Sequence, residues 1–303
     1  MKTAKNKSVF LHAVFILILL LSTVFGIKDA VAFESVIRIG GSTTLLPVIA
    51  DASVRFMEKY KTWDHVNPSF PKEPIVIYVT GGGSCFGVKS VVDSTNHIGM
   101  SSRNITEKEK TQLGKYREYL ISKDCIAFAV NKKNPLAKKD NLTMDEVARI
   151  FTGEAKTFYD IDRSLPKKPI LVQMRDVAGG STEIMQHEVL RDKKFTPSAV
   201  QVPSQGANLK KLETNNNTIS YISSVIAMNN PKLKVFKYEG VLPTNENVIN
   251  GKYKLTRPLI LLVKETPDAS VMAFIDYMLG DGQLVIEEHG YVPAHAVKKS
   301  KQK

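Results

Sequence analysis

Residues 75–100 read IVIYVTGGGSCFGVKSVVDSTNHIGM, and this stretch decides the fold. A run of β-branched and aromatic residues over 75–79 predicts a buried strand that leads into the glycine turn 81–84. A helix is predicted over 85–93 and another short strand over 97–100. A strand, a glycine turn, a helix and a strand in this order indicate a parallel α/β sheet, in which ligands bind at the carboxyl ends of the strands.

Two further turns have the same character, residues 40–44 (GGSTT) and residues 178–182 (AGGST). Each of the three turns places small or hydroxyl-bearing residues just ahead of a predicted helix. The unpaired N–H groups and the dipole at such a helix start attract anions. Arg103 and Arg175 lie beside or upstream of two turns, and a guanidinium group fits a tetrahedral oxyanion. The sequence therefore predicts one shared site for a small oxyanion.

The rest of the chain continues the alternation of strands and helices. Leu46, Ile49, Ala50, Val54 and Met57 recur at helical spacing and predict a helix over 45–60. Further strands are predicted over 35–39, 126–130, 170–174, 219–222, 234–238 and 259–263. Further helices are predicted from a capping box at 143–146 to near 153, over 182–190, from 266 to 280, and from 283 to 290.

The amino terminus has the layout of a secretory signal peptide. Three lysines lie in the first seven residues, residues 9–21 are almost entirely apolar, and 30–32 read Ala-Val-Ala. We expect residues 1–32 to be removed and the product to be periplasmic; the alternative is an uncleaved anchor. The apolar run is short for a membrane span.

Composition limits the classes of partner. The chain has 303 residues, which is enough for two medium domains or one large one. Its formal net charge is +12, and a basic surface attracts anions in general. It carries no recognisable nucleic-acid module, so no nucleic-acid partner is predicted. Cys85 and Cys125 could form a disulfide or be small buried hydrophobic residues. They lack the CxxC spacing and the close histidines of a metal site, and no metal is predicted.

No catalytic motif stands out. The chain lacks GxSxG, HExxH and paired carboxylates, and the spacing of Gly82, Gly87 and Lys89 departs from a phosphate-binding P-loop. We therefore expect no enzymatic activity and no cofactor. An esterase or phosphatase that uses one of the serines remains a rival, although the sequence identifies no base to activate it.

Eight segments occur in an order that resembles a known family. They are IGGSTTLLPV, VTGGGSCFGVKSV, HIGMSSRNITEKE, IAFAVNKKNP, LTMDEVARIFTGE, RDVAGGSTE, RPLILLV and FIDYMLGDGQLVIEEHGYVP. Over about 38–293 the chain resembles the PstS family, the substrate-binding proteins of the bacterial phosphate ABC transporter. The resemblance implies a type II periplasmic binding protein fold, two α/β domains joined by a two-strand hinge with the ligand cleft between them. Domain I would comprise 33–125 plus 259–303, and domain II would comprise 126–258.

The resemblance also implies a set of phosphate contacts from both domains. They are Ser42, Thr43, Thr44, Ser84, Ser102, Arg103, Arg175, Gly180, Ser181 and Thr182. Some members of the family have an aspartate where Ser102 stands, and that carboxylate accepts the proton of phosphate and rejects sulfate. Here the acceptor would be a serine oxygen, a backbone carbonyl or a nearby carboxylate, with Asp176 the first choice and Glu183 a second.

The function implied by the resemblance is capture of inorganic phosphate in the periplasm and its delivery to an inner-membrane ABC permease. We expect a monomer without a cofactor. One alternative keeps the fold and changes the ligand to sulfate, molybdate or tungstate. Another is an adhesive, extracellular reuse of the fold.

Overall fold

The computed structural model describes residues 33–177, 179–191 and 193–294. The predicted signal peptide, the lysine-rich carboxyl end and Ala178 lie outside the described residues. The strands are β1 (Val36–Gly41), β2 (Val76–Gly81), β3 (Ile98–Ser101), β4 (Tyr116–Asn131), β5 (Asn141–Leu142), β6 (Leu171–Arg175), β7 (Val200–Val202), β8 (Thr218–Ser223), β9 (Leu233–Val235), β10 (Lys237–Tyr238), β11 (Thr256–Lys264) and β12 (Val292–Pro293). The α-helices are α1 (Leu46–Tyr60), α2 (Trp63–Val66), α3 (Ser84–Val92), α4 (Glu107–Leu113), α5 (Met144–Thr152), α6 (Gly180–Ile184), α7 (Gln205–Thr214), α8 (Ser224–Met228), α9 (Asn245–Ile249), α10 (Ala269–Leu279) and α11 (Gly282–Glu288).

The strands form one mixed sheet in the order β2-β1-β3-β11-β4-β8-β6-β7, with β9 and β12 also paired to β4. β1 runs parallel to β2 and β3, and β6 runs parallel to β7 and β8. β11 is antiparallel to both β3 and β4. β5 and β10 form a separate parallel pair. The predicted α/β class is confirmed, and the predicted parallel pairing holds at each end of the sheet, whereas β4 and β11 in its middle are antiparallel to their neighbours.

The strand β4 is much longer than the predicted 126–130. Its first half pairs with β11 and its second half pairs with β8 and β9. The sequence did not predict a strand over 116–125 because its polar residues stand in adjacent groups, without the apolar run or the strict alternation that indicates a strand, and several are exposed. Pairing with β11 supplies the backbone hydrogen bonds that hold this polar stretch extended.

The helix predicted over 45–60 is confirmed as α1, and its buried face includes Ile49 but not Val54 of the apolar positions that indicated it. Val54 is 46% exposed, whereas Ala52 and Phe56 are buried. The ring of Phe56 packs against Phe274 and Tyr277, with centroids 5.5 and 5.1 Å away. These aromatic contacts rotate the helix so that Phe56, the largest apolar side chain in it, faces the core.

Of three other predicted elements, one is confirmed and two differ from the prediction. The capping box of Thr143 and Glu146 opens α5 as predicted, and the helix ends at Gly153 with φ 78°. The helix predicted over 182–190 is instead α6 followed by a π-helical turn, Met185–Val189. The strand predicted over 234–238 is divided into β9 and β10, which pair with different partners.

The two cysteines are free in the structure. Cys125 lies in the hydrophobic core, and its thiol is 3.8 Å from the carbonyl oxygen of Pro243. Burial raises the pKa of this thiol to about 12. Cys85 is half-buried, and Arg103 Nη2 lies 3.2 Å from its sulfur. Of the two alternatives, a disulfide or a small buried hydrophobic residue, the structure shows the second for Cys125.

The carboxyl-terminal helices α10 and α11 are present as predicted. α10 buries Val271, Phe274, Ile275 and Met278, and its last residue precedes Gly280. No single helix in the described part of the chain is long and apolar enough to cross a membrane. Among the same residues, the bent pair of α10 and α11 meets that requirement jointly, by length and composition alone.

Replacing Phe56 with alanine should lower the free energy of unfolding by about 3–5 kcal/mol, because a buried ring and four aromatic contacts are lost. Tyr78→Ala is the matched control, since this aromatic side chain is 60% exposed, and should change the value by less than about 1 kcal/mol. Urea unfolding followed by circular dichroism measures both. Equal losses in the two variants would contradict the assigned packing.

Candidate functional site

The predicted turns follow the carboxyl ends of neighbouring strands. β1, β2 and β3 lie side by side, so their ends meet at one edge of the sheet. The N–H of Ser42 donates to the carbonyl of Met100 at 2.9 Å, and the N–H of Gly83 donates to that of Gly41 at 3.0 Å. Gly41 has φ 140°, and a side chain there would collide with the Met100 carbonyl. Only glycine allows this close approach of the first turn to β3.

The hydroxyl residues of these turns are buried and contact one another. Ser84 Oγ accepts from the N–H of Ser102 at 3.0 Å and lies 3.3 Å from Ser102 Oγ. Ser42 Oγ accepts from the N–H of Thr44 at 3.3 Å. Ser42, Thr43, Thr44, Ser84 and Ser102 are each no more than 9% exposed. The first and second turns therefore form one shielded polar surface with the end of β3.

The third turn lies directly against this surface. A Cβ on Gly180 would stand 2.6 Å from the carbonyl oxygen of Ser102 and 2.9 Å from its Oγ. A larger residue would push the two segments apart. The structure thus brings the turn after β6 into contact with the turn after β3, and Ser181 and Thr182 are buried beside it.

Arg175 ends β6 and reaches the first turn. Its Nη2 donates to Thr43 Oγ1 at 2.8 Å, although the two residues are 132 positions apart. The residue is 4% exposed, and among the described residues its Nε and Nη1 have no hydrogen-bond partner. Burial lowers the pKa of Arg175 to about 10, and the positive charge of Arg257 contributes to the lowering. A bound anion would compensate the buried positive charge and accept from the free donors, so this arrangement favours anion binding.

Arg257 is a site residue that the sequence analysis missed. It lies opposite Asp124 in the register of β11 and β4. Its Nε and Nη2 donate to Asp124 Oδ2 at 3.0 and 2.6 Å, and both side chains are fully shielded from solvent. Ser223 Oγ donates to the other carboxylate oxygen at 3.0 Å. The carboxylate of Asp124 therefore fixes the Arg257 guanidinium group and neutralises it.

The same guanidinium group links all three parts of the site. Nη2 donates to Thr44 Oγ1 at 3.1 Å, and Nη1 donates to Ser102 Oγ at 3.4 Å. Nη1 also donates to Ser181 Oγ. Three hydroxyls from separate segments of the sequence thus share one cation.

Arg103 has a different environment from the one expected. Its Nη1 and Nη2 donate to the carboxylate of Glu109 at 2.8 and 2.6 Å, and its Nε lies 2.6 Å from Glu183. Burial raises the pKa of Glu183. The positive charge of Arg103 lowers this pKa, and the negative charge of Glu109 raises it further. The structure shows Arg103 as a neutralised ion-pair centre, and contact with a ligand stays a prediction for this residue.

Thr182 takes part in a short hydrogen-bond chain that holds Arg175. Its Oγ1 donates to the backbone oxygen of Asp176 at 2.8 Å and contacts Tyr221 Oη at 2.8 Å. Tyr221 Oη also accepts from the N–H of Arg175 at 3.0 Å. The Asp176 side chain is half-buried and accepts from Gln201 Nε2 at 3.4 Å. The hydroxyl of Thr182 is therefore engaged in positioning Arg175.

Gln205 is a further missed residue. It is 3% exposed, and its Nε2 donates to Thr44 Oγ1 at 3.0 Å. Gln205, Tyr221 and Arg257 belong to segments without a glycine turn, so the pattern that revealed the other site residues does not reveal them. A charged residue at the start of an otherwise apolar strand, such as Arg257 in β11, is the signal that could have been used.

The chemistry available here is that of an anion receptor. Two buried guanidinium groups face buried hydroxyls, and one carboxylate neutralises only one of them. Ser181 Oγ accepts from Arg257, which is a donor and cannot serve as a general base. Within the described ranges, no three His, Cys, Asp or Glu side chains are grouped closely enough to hold a metal ion.

Comparison with known proteins gives a consistent set of relatives. "Phosphate-binding protein PstS" of Staphylococcus haemolyticus is 29% identical over 265 residues, which is 83% of this chain and 79% of that protein. The protein of the same name from Borreliella burgdorferi is 26% identical over 292 residues, 92% of this chain and 98% of the relative.

A solved structure is also similar over most of its length. It is a putative phosphate ABC transporter substrate-binding protein with bound phosphate from Clostridium perfringens, with a TM-score of 0.73 and 27% identity. The match covers 86% of this chain and 99% of that one. The family model described as "PBP superfamily domain" matches residues 28–282, which contain the three turns, Arg175 and Arg257. The sheet, its turns and this match together place the chain in the PBP superfamily.

Proposed function

We propose that this chain captures inorganic phosphate at the carboxyl ends of β1, β2, β3 and β6 and delivers it to an ABC transporter permease. It acts as a receptor and performs no catalysis. The proposed contacts are Ser42, Thr43, Thr44, Ser84, Ser102, Arg175, Gly180, Ser181 and Thr182, together with Arg257.

The single observation that carries the proposal is the state of Arg175. It is a buried cation with one donor on Thr43 and two nitrogen atoms without a partner in the described residues. The nearest buried cation, Arg257, is neutralised by Asp124 and lowers the pKa of Arg175. An oxyanion beside Arg175 would accept hydrogen bonds from its free N–H groups and compensate its buried positive charge.

We further propose that two lobes, 33–125 plus 259–303 and 126–258, close around the ligand. The contacts of Arg175 with Thr43 and of Arg103 with Glu183 would join the two lobes. Arg257 would contact both lobes, through Ser102 and Ser181. Because both lobes supply ligand groups, phosphate binds the closed arrangement better and shifts the population toward it.

The names of the relatives support phosphate as the ligand and an ABC transporter as the recipient. We propose that the protein acts outside the cytoplasm, in the periplasm, after cleavage of a signal peptide over 1–32. We also propose that it works as a monomer and that no nucleic acid takes part. Neutral N–H and O–H donors dominate the site, which suits binding that must later be reversed at the permease.

Purified protein should bind phosphate at one site per chain with micromolar or tighter affinity and should not hydrolyse phosphate esters. The reason is a site rich in donors in which, among the described residues, the one serine bonded to a carboxylate is Ser223, whose partner Asp124 is already bound to Arg257. Titration calorimetry with phosphate, sulfate, molybdate and tungstate measures this, and p-nitrophenyl phosphate tests turnover. Tighter binding of any of the other three oxyanions would contradict phosphate as the ligand.

Arg175→Ala should weaken phosphate binding by about 2–4 kcal/mol, because a buried charge and its hydrogen bonds are lost together. Arg163→Ala is the matched control, since Arg163 is an exposed arginine, and should bind phosphate as the unmodified chain does. Calorimetry on folded variants gives both affinities. Unchanged affinity in Arg175→Ala would exclude this residue as a ligand contact.

Arg257→Met should lower the free energy of unfolding by about 3–5 kcal/mol, because it leaves the Asp124 carboxylate buried and unpaired. Adding Asp124→Asn should recover part of that loss, since the uncompensated charge is then removed. Urea unfolding of the single and double variants measures the coupling. Strictly additive losses would show that the ion pair does not hold the site together.

A further inference from the structure

Gln205 carries a buried amide oxygen that none of the described residues satisfies. The residue begins α7 and is 3% exposed. Its Nε2 donates to Thr44 Oγ1 at 3.0 Å, while its Oε1 has no hydrogen-bond partner in the described part of the chain. Leaving a buried acceptor without a donor is unfavourable, so the position calls for a donor from a ligand.

The hydroxyl of Thr44 has no acceptor capacity to spare. Its Oγ1 accepts from Gln205 Nε2 at 3.0 Å and from Arg257 Nη2 at 3.1 Å. A hydroxyl has two acceptor positions and one proton, so Thr44 is left as a donor. The Thr44 hydroxyl therefore presents one donor, and the neighbouring Gln205 amide presents one acceptor. A protonated oxyanion offers the matching pair, an oxygen that accepts and an O–H that donates.

We infer that the amide oxygen of Gln205 accepts the proton of bound phosphate and so determines selection of phosphate over sulfate. This inference rests on the proposed function and specifies how that site discriminates. The carboxylates around the site already face donors, and Glu183 lies 2.6 Å from Arg103 Nε. Both oxygens of Asp124 accept from Arg257 or Ser223, and the Asp176 side chain accepts from Gln201.

Discrimination follows from the protonation states of the two anions. Phosphate near neutral pH carries at least one proton, whereas sulfate carries none. Sulfate would place an oxygen lone pair against Gln205 Oε1, and this repulsion has no compensating hydrogen bond. An unmade bond of this kind changes affinity by about tenfold to a hundredfold.

The decisive variant is Gln205→Met, which keeps the length of the side chain and removes the amide. The ratio of phosphate to sulfate affinity should fall by about tenfold to a hundredfold, through weaker phosphate binding, stronger sulfate binding or both. Gln201→Met is the matched control, an exposed glutamine that contacts Asp176, and should leave the ratio unchanged. Calorimetry with each anion on the full chain gives the ratios, and thermal melting confirms folding.

Gln205→Glu provides a second measurement that keeps an acceptor oxygen at this position. It should retain or increase the preference for phosphate over sulfate, and it tests the inference even if Gln205→Met does not fold. An unchanged ratio in Gln205→Met would overturn the inference, as would equal weakening of both anions, because the amide would then act as a donor. A lowered ratio in Gln205→Glu would also overturn it.

Failure of the proposed function has a different signature. In that case the unmodified chain itself would bind no phosphate or would prefer another oxyanion, and the inference would fall with it. Phosphate binding and selectivity in the unmodified chain, together with an unaltered ratio in Gln205→Met, would overturn only the assignment of Gln205. If Gln201→Met lost as much of the preference for phosphate as Gln205→Met, the assignment of Gln205 would be overturned, and the Asp176 side chain would be the acceptor of the phosphate proton.

Discussion

The ion pair of Arg257 and Asp124 is the constraint on which the site depends. Both side chains are fully shielded from solvent, so neither can lose its partner without leaving a buried charge. The pair lies between two long antiparallel strands, β4 and β11, and a slip of one residue would turn one charge to the opposite face. The pair thus favours one register, and that register positions the guanidinium group against Thr44, Ser102 and Ser181.

The three buried arginines differ in how their charge is balanced, and this difference supports the proposed position of the ligand beside Arg175. Arg103 lies between Glu109 and Glu183, and Arg257 lies on Asp124. Arg175 has two nitrogen atoms without a hydrogen-bond partner among the described residues, whereas the one such nitrogen of Arg103, its Nε, lies 2.6 Å from the Glu183 carboxylate. Its charge is unfavourable in the buried state, as the lowered pKa shows. An anion is therefore stabilised at one end of the site, where Arg175 meets the first turn.

The sequence predicted the parts of the fold and site that depend on local pattern. The strands that run into glycine turns, and the capping box of α5, are properties of a few consecutive residues. Arg257 and Asp124 are 133 positions apart and acquire meaning only through the register of β4 and β11. The long strand over 116–125 was missed for the same reason, because its polar pattern is stabilised by a distant partner.

Arg103 shows that a local signal can also be overlooked. Its position beside a predicted turn indicated a ligand contact, and Glu109 lies six residues downstream in the capping box that opens α4. The Glu109 carboxylate that accepts from the N–H of Thr106 also accepts from both Nη atoms of Arg103. A capping glutamate this close to an arginine at a strand end is a competing partner for that arginine, and the sequence contains both.

The charge balance also explains why a neutral acceptor suits this site. A free carboxylate beside Arg175 would cancel the one positive charge that attracts the anion and would repel the dianion directly. An amide oxygen accepts a proton from the ligand without changing the net charge. Gln205 stands one hydrogen bond from Thr44 and therefore adds discrimination while Arg175 keeps its full attraction. Affinity and selectivity then rest on different residues, one a cation and the other uncharged.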